Sequence, residues 1–153
     1  MEQYQISKGT YFYAIGLSYK KADAEIRGHF SLDDTGKQAI LNQAKANGIE
    51  SLIVTSTCNR TEIYGFAEHP YQLIKLLCDN TKGTVDEFQK VAYIYKNREA
   101  ISHMFRVGSG LDSQILGDFE IIGQLKTATI ASKKLGLVNA FIERLINSVI
   151  QAS

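Results

Sequence analysis

Two thiols, three imidazoles and a polar run around one thiol are the groups in this chain most able to do covalent chemistry. Cys58 lies in Ser56-Thr57-Cys58-Asn59-Arg60-Thr61-Glu62, polar on both sides. A reactive cysteine needs exposure and an electropositive neighbour, because the thiolate is the nucleophile. Arg60 can supply that field. The same residues also fit a plainer role, a small side chain filling a turn. Cys78 sits in the apolar stripe Leu73, Ile74, Leu77, Cys78 and reads as a core residue. His103 lies beside the apolar stripe of its helix. That placement suits an exposed or hydrogen-bonded surface histidine as well as a catalytic one. His29 and His69 fall near turns.

Other motifs carry less. Gly108-Ser109-Gly110 fails as a dinucleotide loop: the third glycine of GxGxxG would fall at Ser113, and the segment follows a helix rather than a strand. Asp118 and Glu120 fit a helix start, one as N-cap and one complementing the dipole. Lys133 and Lys134 suit a last helical turn. No CxxC or Cys/His spacing typical of zinc is present, so no metal is expected.

The elements that must position these groups follow from patterning. Tyr11–Ile15, Leu52–Thr57, Thr61–Phe66 and Val91–Tyr95 read as strands. Cys58-Asn59-Arg60 is then a tight connection between the second and third. A helix after Ser31 and Asp34, spaced as a capping box, buries Ile40, Leu41 and Ala44 and stops at Gly48. A second opens on Pro70. A third, capped by Asn97, turns Ala100, Ile101, Met104 and Phe105 inward and breaks at Gly108. A fourth runs from near Asp118 to Gly136, and a last one carries Phe141, Ile142, Leu145, Ile146, Val149 and Ile150. The order is β-α-β-β-α-β followed by helices. The fold class expected is α+β, a ferredoxin-like split βαβ with additional C-terminal helices. The wide apolar face of the last helix asks for a partner, and the natural chain is expected to continue beyond it.

The chain has 153 residues, 44% of them hydrophobic, room for one domain or one and part of another. Its net charge of +1, from 17 basic and 16 acidic residues, argues against a dedicated nucleic-acid-binding domain. It leaves open an enzyme that handles one end of a nucleic acid. The polar N-terminus lacks a signal-peptide core, and no apolar run approaches the ~20 residues of a membrane span. A cytoplasmic location with reduced thiols is expected.

Three ordered blocks resemble the glutamyl-tRNA reductase family. Ser56-Thr57-Cys58-Asn59-Arg60-Thr61-Glu62-Ile63-Tyr64 looks like its nucleophile segment. His103-Met104-Phe105-Arg106-Val107-Gly108-Ser109-Gly110-Leu111-Asp112-Ser113 looks like its second block, and Ile115-Leu116-Gly117-Asp118 through Gln124-Leu125-Lys126 its third. Gly16-Leu17-Ser18-Tyr19-Lys20 resembles its first strand and turn. The resemblance implies that Cys58 attacks the ester of glutamyl-tRNA(Glu) and forms a glutamyl thioester. NADPH then reduces it to glutamate-1-semialdehyde, a precursor of tetrapyrroles, porphyrin and heme among them. A thiolate suits this task, since a thioester accepts hydride better than a serine ester would.

By the same resemblance His103 supports the reacting ester, and Arg60 grips a substrate carboxylate in two parallel bonds. Thr57, Asn59, Ser113 and Gln124 line the glutamate pocket. Asp118-Phe119-Glu120 stands where the family usually reads Glu-Pro-Gln: the first arm is shorter, a rigid proline is gone and a charge replaces an amide. The opening reads Ser-Tyr-Lys-Lys where Asn-His-Lys-Thr is common, so no role is carried over before Thr57. Residues 1–136 form the implied catalytic domain and 137–153 a helix leading toward a connecting helix. The NADPH-binding and dimerisation domains are absent from this chain. The whole enzyme is implied to be a homodimer, with channelling to glutamate-1-semialdehyde aminotransferase and no membrane.

Two other classes compete. A cysteine hydrolase or thiol peroxidase shares only Cys58. A non-catalytic ferredoxin-like regulatory or RNA-binding module would want basic and aromatic residues interleaved on exposed strands. Tyr93 and Tyr95 alternate, but no basic residue alternates with them.

Overall fold

A computed structural model describes residues 9–110 and 120–153. Among these the chain forms strands β1 (Tyr11–Ser18), β2 (Leu52–Ser56), β3 (Arg60–Ala67) and β4 (Tyr93–Lys96). Its helices are α1 (Ala24–His29), α2 (Asp34–Ala46), α3 (Pro70–Asp79), α4 (Val85–Val91), α5 (Arg98–Gly108), α6 (Glu120–Lys134) and α7 (Ala140–Ala152). The strands make one sheet in the order β2-β3-β1-β4, and every neighbouring pair is antiparallel.

Both faces of this sheet are covered. Alternation sends Tyr13, Ile15, Leu17, Val54 and Ile63 to one side, where they meet Ile40 and Leu41 of α2, Leu73 and Leu77 of α3 and Phe88 of α4. Phe12, Ala14, Ile53, Tyr64 and Phe66 face the other side, against Met104 of α5, Leu125 of α6 and Ile142, Ile146 and Val149 of α7. The broad apolar face of α7 therefore has a partner within this chain.

Two short helices were not read from the sequence, although each carries a start signal. Asp23 accepts from the Ile26 amide ahead of α1. Thr84 and Glu87 form a capping box ahead of α4. Val91 closes α4, so β4 begins later than its β-branched start suggests. The N-cap of α2 is Asp33, which accepts from the Gly36 amide at 2.8 Å, and Ser31 instead donates to the Gly28 carbonyl. Asn97 stands at the N-cap of α5, but its carboxamide oxygen accepts from the Phe12 amide of β1. Pro70 does open α3, with His69 as its cap.

The outer edge of β2 is covered by α6 rather than by a fifth strand. Ser132 donates to the Leu52 carbonyl at 2.7 Å, Gln124 accepts from the Ser56 amide at 3.3 Å, and the Leu52 amide donates to the Leu137 carbonyl. An exposed edge would invite pairing with other strands. Here side chains and a passing loop occupy its hydrogen-bonding groups.

Candidate active site

Thr57, Cys58 and Asn59 are all that separates β2 from β3. The turn is tied on several sides. The Thr57 amide donates to the Arg60 carbonyl at 2.8 Å, the Tyr19 amide to the Asn59 carbonyl at 2.9 Å, and Thr57 Oγ1 accepts from the Asn59 amide. Arg27 of α1 donates through Nε to the Cys58 carbonyl at 3.1 Å and through Nη1 to the Ala22 carbonyl at 2.7 Å. Asn59 is buried and Cys58 exposed. The thiol is thus presented to solvent from a backbone anchored on β1, β3 and α1. Cys78 is only half-buried, and burial, followed by the charges of Asp79 and Glu87, pushes its thiol up.

Behind the turn lies a buried charge network that sequence reading missed. Glu62 of β3 is fully enclosed. Its Oε1 accepts from the Tyr64 hydroxyl at 2.7 Å, and its Oε2 from the Tyr93 hydroxyl and from His103 Nε2, both at 2.5 Å. Arg60 Nη1 stands 3.8 Å from the same Oε2. Burial alone would raise the carboxyl's pKa. The hydrogen bond and charge of His103, the charge of Arg60 and the Tyr93 hydroxyl outweigh it and hold Glu62 below the ordinary carboxylate range. An ionised carboxylate only accepts, so His103 must carry a hydrogen on Nε2. Burial and the negative charge of Glu62 push both tyrosine hydroxyls well above their usual range, so they remain donors.

Gly16 makes the network possible. It pairs with Glu62 on one side and Tyr93 on the other. A Cβ there would stand 2.3 Å from the Thr61 carbonyl oxygen and 2.9 Å from Glu62 Cγ.

His103 corrects a surface reading: it is 2% exposed. The buried stripe of α5 is Ala100, His103, Met104 and Val107, with Ile101 and Phe105 only half-buried at its margins. The face is rotated because Glu62 gives the imidazole a partner inside. Rings also enclose it, Tyr93 and Tyr95 each at 4.8 Å and Tyr64 at 6.4 Å. The signal available was Glu62 itself, a carboxylate on a strand face shared with Tyr64 and Phe66.

Arg60 is buried to the same degree as His103 and lies against Glu62. Gln124 reaches the turn from the other side. Its Oε1 accepts from the Ser56 amide and from Lys37 Nζ at 3.0 Å, beside a cavity of about 210 Å³ between α2 and α6. Glu120 is the exposed first residue of α6. Ser113, Asp118 and Phe119 lie outside the described residues. Among the described residues no three His, Cys, Asp or Glu side chains are placed to hold a metal, and no helix is long and apolar enough to cross a membrane.

Residues 15–153 match the family model of the glutamyl-tRNAGlu reductase N-terminal domain. The glutamyl-tRNA reductase of Christiangramia forsetii is 73% identical over the whole chain, which spans 37% of that protein. The glutamyl-tRNA reductase of Acinetobacter baumannii is 37% identical over 84% of the chain and is 30% covered by it. The chain thus spans about a third of such relatives. Among solved structures, glutamyl-tRNA reductase from Methanopyrus kandleri superposes with a TM-score of 0.71 at 25% identity, over 92% of this chain and 34% of that one. A domain model matching nearly the whole length, carried on this fold, places the chain in the glutamyl-tRNA reductase family, as its N-terminal domain.

Proposed function

We propose that this chain performs the acyl-transfer half of glutamyl-tRNA reduction, with Cys58 as nucleophile. The observation that carries the proposal is an exposed thiol held on a backbone-anchored turn, in a segment that resembles the family's nucleophile segment. Cys58 Sγ attacks the carbonyl carbon of the glutamyl ester. The C–S bond forms, the bond to the terminal ribose oxygen breaks, and that oxygen leaves with the proton the thiol gave up. An aminoacyl ester is already activated, so no strong base need touch the thiol. Glu62 fixes the ring and tautomer of His103, which supports the reacting ester in this reading, and stands beside Arg60, the partner of the substrate carboxylate. Thr57, Asn59, Ser113, Asp118, Phe119, Glu120 and Gln124 form the surroundings of the glutamyl group in this reading.

NADPH is the reductant that the family implies, and the described residues do not fit it. Gly108-Ser109-Gly110 closes α5, and no strand leads into it. The hydride step and the homodimer contacts are assigned outside residues 1–153; a cytoplasmic setting and transfer of the semialdehyde to an aminotransferase complete the proposal. Residues 1–136 are the catalytic domain of the proposal and 137–153 the start of the connection to the rest. The strand order supports a ferredoxin-like split βαβ sheet, elaborated by α1 and α4.

The test is to incubate the protein with labelled glutamyl-tRNA and look for a glutamyl adduct by mass spectrometry. The adduct is expected on Cys58, absent from Cys58→Ser and retained in Cys78→Ser. An adduct that survives in Cys58→Ser refutes the assignment.

A further inference from the structure

Where β1 ends, beside the Cys58 turn, the described residues line a cleft of about 220 Å³ that reaches from His103 to Lys20 and Lys21. Lys20, Lys21, Arg106 of α5, Tyr93, Tyr95 and His103 are among the residues that line it. The two tyrosine rings stack at 5.4 Å between centroids. The Arg106 guanidinium lies 6.0 Å from the centre of the Tyr95 ring. All three cations are exposed, and none of the described lining residues is acidic. Because the whole chain carries only +1, this grouping is a local feature.

Two backbone contacts join the cleft to the nucleophile. Ser18, on its wall, pairs with Arg60 across β1 and β3. The next residue, Tyr19, donates its amide to Asn59, the neighbour of Cys58.

We infer that this cleft receives the 3′-terminal nucleotide of the tRNA, its base against Tyr95 and Arg106 and its 5′ phosphate against Lys20 and Lys21. The inference rests on the proposal that glutamyl-tRNA is the substrate. In that substrate the ester oxygen belongs to the terminal ribose, so the base and its phosphate lie within one nucleotide of the carbonyl that Cys58 meets. Aromatic faces and guanidinium planes stack bases without demanding a sequence, and grouped cations neutralise phosphate. Tyr93 is a rigid part of the platform, since its hydroxyl is held by Glu62.

Adenosine 5′-monophosphate is the probe, with adenosine and inorganic phosphate as its separated halves. Titration by calorimetry should show the nucleotide binding more tightly than either half and weakening as salt rises. Arg106→Ala and Tyr95→Leu should each weaken it about ten-fold or more, while Arg106→Lys and Tyr95→Phe lose less. In acylation of Cys58, Arg106→Ala should raise KM for glutamyl-tRNA with little change in kcat. It should leave unchanged the reaction with an activated glutamate ester that has no nucleotide. Arg106 is exposed, and a melting curve checks that the variant is folded. Failure of the nucleotide to bind, or wild-type affinity in both Arg106→Ala and Tyr95→Leu, overturns the inference and leaves the role of Cys58 intact. Nucleotide binding that responds to the variants, in a protein whose Cys58 accepts neither ester, overturns the proposed function and leaves the cleft a nucleotide site.

Discussion

Replacing Glu62 by glutamine keeps the shape of the side chain and removes its charge. Three donors aim at the carboxylate, from Tyr64, Tyr93 and His103. A hydrogen bond to a charged group contributes about 1.5–3 kcal/mol and a neutral one about 0.5–1.5, so the three bonds together weaken by ~3 kcal/mol. An amide also has only one oxygen to offer, and its NH2 would confront a donor. Arg60, 2% exposed, would lose its buried counter-charge. Breaking a buried ion pair from one side costs about 3–5 kcal/mol, a figure that overlaps the first rather than adding to it. The expected loss for Glu62→Gln is therefore ~3–5 kcal/mol. At about 2–4 °C per kcal/mol for a domain of this size, the melting point falls by roughly 6–20 °C. Urea unfolding at pH 7, followed by far-UV circular dichroism, measures it. A change under ~1 kcal/mol with an unaltered denaturant slope would refute the view that Glu62 neutralises the interior behind the turn.

The depressed pKa of Glu62 has a consequence in acid. Its ordinary value is 4.5 and its folded value lies lower. Its contribution to stability is thus complete above about pH 4.5 and lost as pH falls through the folded value. The stability gap between the wild-type protein and Glu62→Gln should narrow as pH falls below about 4.5, and a gap that widens there contradicts the sign of the shift. Gly16→Ala should cost about 1–3 kcal/mol or more, the scale of overpacking, because its methyl would meet a backbone oxygen at 2.3 Å. Gly28→Ala, with nothing within 4 Å of the added methyl, should be neutral or stabilising. Urea midpoints decide, and equal behaviour of the two variants would discredit the steric argument. At neutral pH iodoacetamide should label Cys58 well before Cys78, since one thiol is exposed and the other half-buried with a raised pKa. Peptide mapping that finds Cys78 labelled first would count against the exposed turn.

What could be read ahead of the structure was local. The Cys58 turn was legible because two β-branched runs stand only a few residues apart, and covalent proximity leaves a tight connection as the one solution. Pro70 and Gly48 marked helix ends for equally local reasons. The Glu62–His103 pair was not legible, because 41 residues separate its members and only the β3–β1–β4 register brings them together. Without that partner the spacing of α5 alone points His103 to the surface and sets the buried stripe one step around the helix. Arg27 escaped for a similar reason: nothing near it in sequence announces a carbonyl 31 residues away. The Thr84-x-x-Glu87 box of α4 was present and overlooked, since a helix of seven residues has too few turns to show a period.

An unconstrained glutamine is ambidextrous, able to offer oxygen or hydrogen to whatever approaches. Gln124 has lost that freedom. The two groups that hold it, the Ser56 amide and the Lys37 ammonium, can only give hydrogens, so the atom between them has to be oxygen, and both of its lone pairs are taken. What the side chain has left for a third party is its NH2. A carboxylate or a carbonyl can be welcomed there, and an ammonium or another amide hydrogen is turned away. Polarity at this side of the nucleophile's turn is thus chosen by a lysine on α2 and a strand end, before any ligand arrives.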